Sequence, residues 1–142
     1  MHLGFSSRIL DDHIIVEVHG ELDLISAPSL QEDLLGILVQ RGNRIVLDLS
    51  GLTFMDAAGL RVLLAINRRA GLLGGTLSLA DPRGSVARIL QLTDLDQYFA
   101  VFPSVAKAIV ADRRARAHLP SRTGAQALPR RASRNGRFQQ GT

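Results

Sequence analysis

The chain has 142 residues and no cysteine, so it suits one domain with a sizeable hydrophobic core and has neither disulfides nor thiolate chemistry. Its net charge of +4 is divided unevenly: residues 1–111 carry nine basic and twelve acidic residues, whereas residues 112–142 carry eight Arg and one Asp. The high isoelectric point therefore belongs to the C-terminal tail and not to the fold.

In the N-terminal half, the hydrophobic pattern predicts two strands followed by a helix. Strands over 5–10 and 13–19 are separated by the pair 11–12, Asp-Asp, which suits a two-residue hairpin turn. Pro28 fits the first turn of a helix, where its missing N–H costs no hydrogen bond, and Gly42 is expected to end that helix. The expected core stripe of the helix is Leu30, Leu34, Ile37 and Leu38.

The following segments alternate strand and helix, which implies crossover connections and a mainly parallel sheet. Residues 44–49 predict a buried strand, and a short loop leads from it into a helix from Ala57 to about Gly71. The remaining elements are expected to be a strand over 76–80, a helix capped by Asp81-Pro82 and ending at Leu90, a strand over 98–101, and a helix over 103–110. We therefore expect an α/β fold with a five-stranded sheet, an N-terminal antiparallel hairpin and about four helices.

Residues 48–64 are the most informative segment, because there a strand leads through the expected loop into a helix N-terminus. Asp56 stands where an N-cap belongs, and its carboxylate is expected to accept from the N–H of Ala58 or Gly59, worth about 1 kcal/mol. The first N–H groups of a helix are unpaired and carry partial positive charge, so such a site suits a phosphate. Ala57 and Ala58 nevertheless carry no hydroxyl group.

Residues 48–60, Asp-Leu-Ser-Gly-Leu-Thr-Phe-Met-Asp-Ala-Ala-Gly-Leu, closely resemble the signature of the STAS domain, in particular that of the anti-sigma factor antagonists. The similarity extends over about residues 8–111. Its other elements are Gly20-Glu21-Leu22-Asp23, Gly74-Gly75, and Asp94-Leu95-Asp96 followed by Phe99, Val101 and Phe102. The resemblance implies the STAS fold and a protein that acts by binding another protein.

In antagonists of this family, the serine directly after the loop aspartate is phosphorylated by the partner anti-sigma factor, which is also a kinase. That position corresponds to Ala57, so the resemblance implies that the usual phosphorylation site is absent. The aspartate matching Asp23 lies near the phosphorylation loop, and Asp23 and Asp56 are expected to form an acidic rim that repels a phosphoryl group. Ser50 and Thr53 lie in the same loop, but not at the acceptor position.

The expected partner-binding surface surrounds this helix start and comprises Asp23, Asp56, Ala57, Ala58, Gly59, Leu60 and Arg61. The resemblance implies that the partner is an anti-sigma factor of the histidine-kinase-like ATPase type, whose capture frees a sigma factor for transcription. Ala57 implies either an antagonist that phosphorylation does not silence or a relative recruited to other binding. The alternative is a STAS regulatory or scaffold subunit of a transporter ATPase or of a multi-protein signalling complex.

Other functions find little support in the residues. The histidines show no metal-ligand spacing and no nucleotide-binding glycine motif is present, so we expect neither a metal nor a cofactor. No Ser-His-Asp arrangement occurs at a strand-to-helix turn, so we expect no enzyme activity. His13 and His19 are expected on the solvated face of their strand. No apolar run reaches the roughly 18 residues that span a bilayer, so we expect a cytoplasmic protein with no transmembrane segment.

The tail has a different composition from the rest of the chain. We assign residues 1–111 to the STAS domain and residues 112–142 to an Arg-rich tail, in which Arg113, Arg114 and Arg116 could prolong the last helix. Residues 120–142 are rich in Pro, Ser, Gly, Gln and Arg and are expected to be disordered. Any binding to a nucleic acid would be a weak, salt-dependent contact of this tail.

Overall fold

The computed structural model describes residues 2–117, of which the residues up to 111 form one compact unit. The five strands are β1 (Leu3–Leu10), β2 (His13–Leu22), β3 (Arg44–Met55), β4 (Thr76–Ala80) and β5 (Ala100–Phe102). The five helices are α1 (Ala27–Gln40), α2 (Ala57–Leu72), α3 (Gly84–Leu92), α4 (Leu95–Tyr98) and α5 (Val105–Ala117). None of these helices is long and apolar enough to cross a membrane.

The strands form one sheet in the order β1-β2-β3-β4-β5. β1 is antiparallel to β2, and every other neighbouring pair is parallel. The hairpin turns through Asp11 and Asp12, whose φ angles of 50° and 65° are those of the tight turns that join antiparallel strands. The prediction of a mainly parallel sheet with an N-terminal hairpin is therefore confirmed.

Two apolar clusters cover the two faces of the sheet. The larger one packs β2, β3 and β4 against α1, α2 and α3, through residues such as Leu30, Leu63 and Val86. The smaller one joins Ile15 and Val46 to α5. Both faces of the sheet are covered at the amino-terminal parts of β2 and β3. These parts are therefore buried on both sides, as central parallel strands are.

His13 is the clearest departure from the expected pattern of β2. It was expected to be solvated, but only 1% of it is exposed, and its Nδ1 lies 2.7 Å from the carbonyl oxygen of Asp11. Alternation correctly placed Ile14 and Val16 in the core, but the covering of the opposite face by α5 buries Ile15 as well. His19, further along the strand, is exposed as expected.

β3 is longer than the sequence pattern predicted, because it continues to Met55 instead of ending at Leu49. β2 also continues to Leu22 and supplies a partner for this extension, with register shifts after Glu17 and Gly20. The backbone groups of 51–55 therefore pair within the sheet, where a loop was expected. Ser50 and Thr53 are strand residues as a consequence.

The C-terminal elements differ from the prediction in two places. Asp81-Pro82 does not cap α3: the N-cap is Arg83, and the helix begins at Gly84. The N–H of Asp81 instead donates to the oxygen of Phe102. The short helix α4 takes up Tyr98, so residues 2–117 contain five helices and β5 begins at Ala100. The extension of the last helix through Arg116 is confirmed. Residues 118–142 lie outside the described residues, so disorder of the tail stays a prediction.

Candidate functional site

The carboxyl ends of β2 and β3 lie side by side and bring the two predicted aspartates together. The last pair in their register is Leu22 with Met55, and the N–H of Asp56 donates to the oxygen of Leu22 over 3.2 Å. Asp23 and Asp56 each follow directly after one of these strand ends. Neighbouring strands are about 4.8 Å apart, so the two carboxylates belong to one small region of the surface.

Asp56 caps α2 as the sequence predicted. Its Oδ1 accepts from the N–H of Ala58 over 2.9 Å and from the N–H of Gly59 over 3.3 Å, and its backbone is extended. The carboxylate therefore takes two of the N–H groups that a bound phosphate would need. In this conformation the helix start is occupied by its own cap, which corrects the expectation of a free anion site.

Asp23 stabilises the turn that leads into α1. Its Oδ1 accepts from the N–H of Ile25 and from the N–H of Ser26, each over 3.0 Å, and the hydroxyl of Ser26 lies 3.1 Å from the same oxygen. These bonds hold the pKa of Asp23 below its usual value, and the N–H of Ser26 contributes most. The Ser26 hydroxyl also lies 2.8 Å from the oxygen of Glu21.

Two of the residues predicted to touch a partner are buried. Leu60 is 8% exposed and packs in the larger core cluster. Gly59 is buried as well, and a Cβ at that position would lie 2.6 Å from Cγ of Met55 and 2.9 Å from Cγ of Leu22. These two residues therefore pack the helix onto the sheet. The predicted surface is accordingly reduced to the exposed or partly exposed residues Asp23, Asp56, Ala57, Ala58 and Arg61.

Exposed apolar side chains near the aspartates were missed by the sequence analysis. Leu24 and Ile25, which follow Asp23, are 71% and 87% exposed, and Phe54, two residues before Asp56, is also exposed. Neighbouring exposed apolar side chains are typical of interaction surfaces. The signal for Leu24 and Ile25 was available, because two large apolar residues are unusual in a turn between a strand and a helix.

The hydroxyl groups of Ser50 and Thr53, which precede the helix start in β3, are in different environments. Thr53 Oγ1 donates to the oxygen of Gly20 over 2.9 Å, so its hydroxyl hydrogen is already used. Ser50 lines a groove of about 190 Å³ together with Glu17, His19 and Asp48. A phosphate on Ser50 would therefore meet two carboxylates.

No group of three or more His, Asp or Glu side chains is placed to hold a metal ion in the part of the chain that the structure describes. One buried carboxylate oxygen, Oε1 of Glu21, has no hydrogen-bond partner among these residues. Glu21 lies at the end of β2, two residues before Asp23. The groups exposed around the two aspartates are the charged side chain of Arg61 and the apolar side chains of Leu24, Ile25 and Phe54.

Comparison with known proteins finds several anti-sigma factor antagonists among the similar proteins. The model of the STAS domain family matches residues 5–108. The anti-sigma-F factor antagonist of Mycobacterium tuberculosis is 30% identical over 102 residues, which cover 70% of this chain and 80% of that protein. The anti-sigma-B factor antagonist of Bacillus subtilis is 28% identical over 95 residues, 67% of this chain and 86% of that protein. The crystal structure of an anti-sigma factor antagonist from Mycobacterium paratuberculosis is 28% identical, with a TM-score of 0.71 over 78% of this chain and 94% of that one.

Proposed function

The chain belongs to the STAS domain family, and on that premise we propose that it is an anti-sigma factor antagonist: it binds an anti-sigma factor and thereby frees a sigma factor for transcription. Its bacterial relatives bear that name. The observation that carries the proposal is the surface at the ends of β2 and β3, where Asp23 and Asp56 lie beside exposed residues of the α2 start. This surface offers charged and apolar groups that another protein can contact.

We further propose that the partner is an anti-sigma factor of the histidine-kinase-like ATPase type and that the encounter takes place in the cytoplasm. The mechanism is competition, in which the antagonist occupies the anti-sigma factor and the sigma factor is released. Leu24 and Ile25 are suited to be anchors, since fully burying such a side chain contributes about 1.5–3 kcal/mol before the costs of association are subtracted. Arg61, exposed on the first turns of α2, adds a charged contact.

The antagonist is proposed to act independently of phosphorylation. Ala57 has no hydroxyl at the family's acceptor position, and the hydroxyl of Thr53 is engaged with the backbone of Gly20. In relatives with an acceptor serine, a phosphoryl group would add a charge of about −1.5 to −2 next to the two aspartates. Because residue 57 has no hydroxyl group to accept a phosphate, phosphorylation there cannot weaken the complex with the anti-sigma factor.

The test is calorimetric titration of this protein with each histidine-kinase-like anti-sigma factor of its own organism, followed by displacement of the bound sigma factor. One anti-sigma factor is expected to bind and to release its sigma factor. Arg61→Glu should weaken this binding at least tenfold, about 1.4 kcal/mol, with little change in melting temperature. The matched control is Lys107→Glu, the same charge reversal on the exposed side of α5, across the sheet from α2.

Absence of binding to every such anti-sigma factor would refute the proposal. Binding to a transporter ATPase or to components of a signalling complex would support the alternative. If the anti-sigma factor binds Arg61→Glu and wild type equally well, the function stands but the interface lies elsewhere.

A further inference from the structure

The exposed side of α2 forms a strip that continues well beyond the helix start. It consists of Ala57, Arg61, Ala65, Arg68, Arg69 and Leu72. These residues recur at the spacing of one helix face, and α2, with 16 residues, is about 24 Å long. We call this surface the α2 strip. It is long enough to accommodate an extended or helical segment of another protein.

The α2 strip is a local concentration of positive charge. Helix α2 contains three Arg and no acidic residue, although residues 1–111 as a whole have more acidic than basic residues. Arg61, Arg68 and Arg69 make no hydrogen bond or ion pair with any described residue. Some other arginines of the fold do: Arg8 pairs with Glu17, and Arg83 pairs with Asp81.

The strip also has a shape that can receive side chains. Ala65 is small and lies between the arginines, and a surface groove of about 430 Å³ is lined by Ala65, Arg68, Arg69 and Leu72. Leu72 and Leu73 are both exposed, by 73% and 46%. A groove lined by both guanidinium groups and apolar side chains is suited to a segment that carries both carboxylates and an apolar side chain.

We propose that the partner presents an acidic segment that lies along the α2 strip, with its carboxylates against Arg61, Arg68 and Arg69 and an apolar side chain in the groove beside Leu72. This inference rests on the proposed function, because it specifies the surface that the partner uses. A protein is favoured over an anionic membrane for two reasons. Three arginines supply only about 1 kcal/mol each at a lipid surface. The rest of the unit is acidic and would be repelled by that surface.

The first arm of the test uses the anti-sigma factor that binds wild type. It is titrated into wild type, Arg68→Glu, Arg69→Glu and Lys107→Glu at about 0.05 M and about 0.5 M NaCl, since salt screens such charge pairs. Each arginine reversal should weaken binding about tenfold or more at low salt and clearly less at high salt. Lys107→Glu should stay within about twofold of wild type, as an exposed charge outside the interface does.

The second arm does not depend on which protein is the partner. A fluorescent peptide of about 12 residues, with Glu and Leu at helical i, i+4 spacing, is titrated into the same four proteins. The same peptide with Lys in place of Glu is the control for charge, and vesicles containing phosphatidylglycerol test the membrane. Wild type should bind the acidic peptide and not the basic one, and both arginine reversals should abolish this preference.

The outcomes separate the two proposals. If the anti-sigma factor binds all four proteins equally, the proposal of an acidic segment on the α2 strip is refuted and the proposed function stands. If no anti-sigma factor binds but the acidic peptide binds through Arg68 and Arg69, the proposed function is refuted. The proposal that the α2 strip takes an acidic segment then stands. Failure of both arms refutes both proposals, and arginine-dependent binding to vesicles alone refutes the protein partner in favour of a membrane. Circular dichroism of each variant excludes unfolding as the cause.

Discussion

The starts of α1 and α2 form a natural comparison, because they follow the adjacent ends of β2 and β3. In both, an aspartate comes directly after the strand and its Oδ1 accepts from two backbone N–H groups. The shared arrangement satisfies N–H groups that would otherwise lack partners. It shows that an aspartate at each position has a structural role before any role in binding.

The two starts differ in what they expose. The chain needs three further residues after Asp23 to begin α1, and this turn exposes Leu24 and Ile25 while the Ser26 hydroxyl bonds within the protein. Asp56 is itself the N-cap, so α2 begins at once with Ala57, which has no hydroxyl group. The α1 start thus exposes apolar side chains, whereas the α2 start exposes a small residue without a hydroxyl group. Four predictions test this difference, in order of decreasing expected effect.

Restoring a hydroxyl at the α2 start should restore phosphorylation. Wild type is expected to take up no label from ATP and its partner kinase, whereas Ala57→Ser is expected to be labelled. Ala57→Asp, a partial mimic of the phosphate, should weaken partner binding about 100-fold, near 2.7 kcal/mol, because it adds a charge beside Asp23 and Asp56 that must lose water at an interface. The matched control is Ala57→Ser combined with Ser26→Ala, which should keep its label, since Ser26 belongs to the other helix start. Label on wild type, located by mass spectrometry at Ser50 or Thr53, would contradict phosphorylation-independent action.

Gly59 in α2 and Gly36 in α1 should respond oppositely to substitution by alanine. Gly59→Ala places a Cβ against Met55 and Leu22 and should cost about 1–3 kcal/mol of unfolding free energy. Gly36→Ala, in α1, places its Cβ where no atom lies within 4 Å and should stabilise by about 0.5–1 kcal/mol. Urea unfolding measures both. Equal effects at the two positions would mean that the α2 start is not packed as tightly as described.

Two substitutions of Asp56, the N-cap of α2, should separate the contribution of its hydrogen bonds from that of its charge. Asp56→Ala should cost about 1 kcal/mol of unfolding free energy, whereas Asp56→Asn, which keeps an acceptor oxygen, should cost only a few tenths. If the aspartate also contacts the partner through its charge, Asp56→Asn should weaken binding while the protein stays folded. Full binding by Asp56→Asn would limit Asp56 to its structural role.

The smallest expected effect concerns the ionisation of Asp23. Its folded pKa lies below the usual value of 3.8, so its hydrogen bonds stabilise the fold above that pH and are lost as the pH falls through the folded pKa. Carbon-13 NMR titration should find this lowered pKa. Ser26→Ala should raise the pKa only in part, because the N–H of residue 26, the largest contributor, remains. A pKa of Asp23 at or above 3.8 in wild type would contradict the described turn.

Local sequence was sufficient for the features whose cause is local. The hairpin follows from two aspartates in a two-residue turn. The N-cap of α2 follows from Asp56, whose side chain reaches the N–H groups of the second and third residues after it. The alternation of strands and helices likewise predicted a mainly parallel sheet, because parallel strands need crossover connections. The STAS resemblance also depends on a short motif that is readable without a structure.

The features that the sequence did not reveal depend on residues that are distant in the chain. β3 continues to Met55 because the far end of β2 is there to pair with it, and His13 and Ile15 are buried because other parts of the fold cover that stretch of β2. Leu60 has the same apolar character as Leu24, yet α2 turns Leu60 into the core while the turn after β2 leaves Leu24 exposed. Periodicity reports the faces of one element, and only tertiary packing decides which of those faces another element covers.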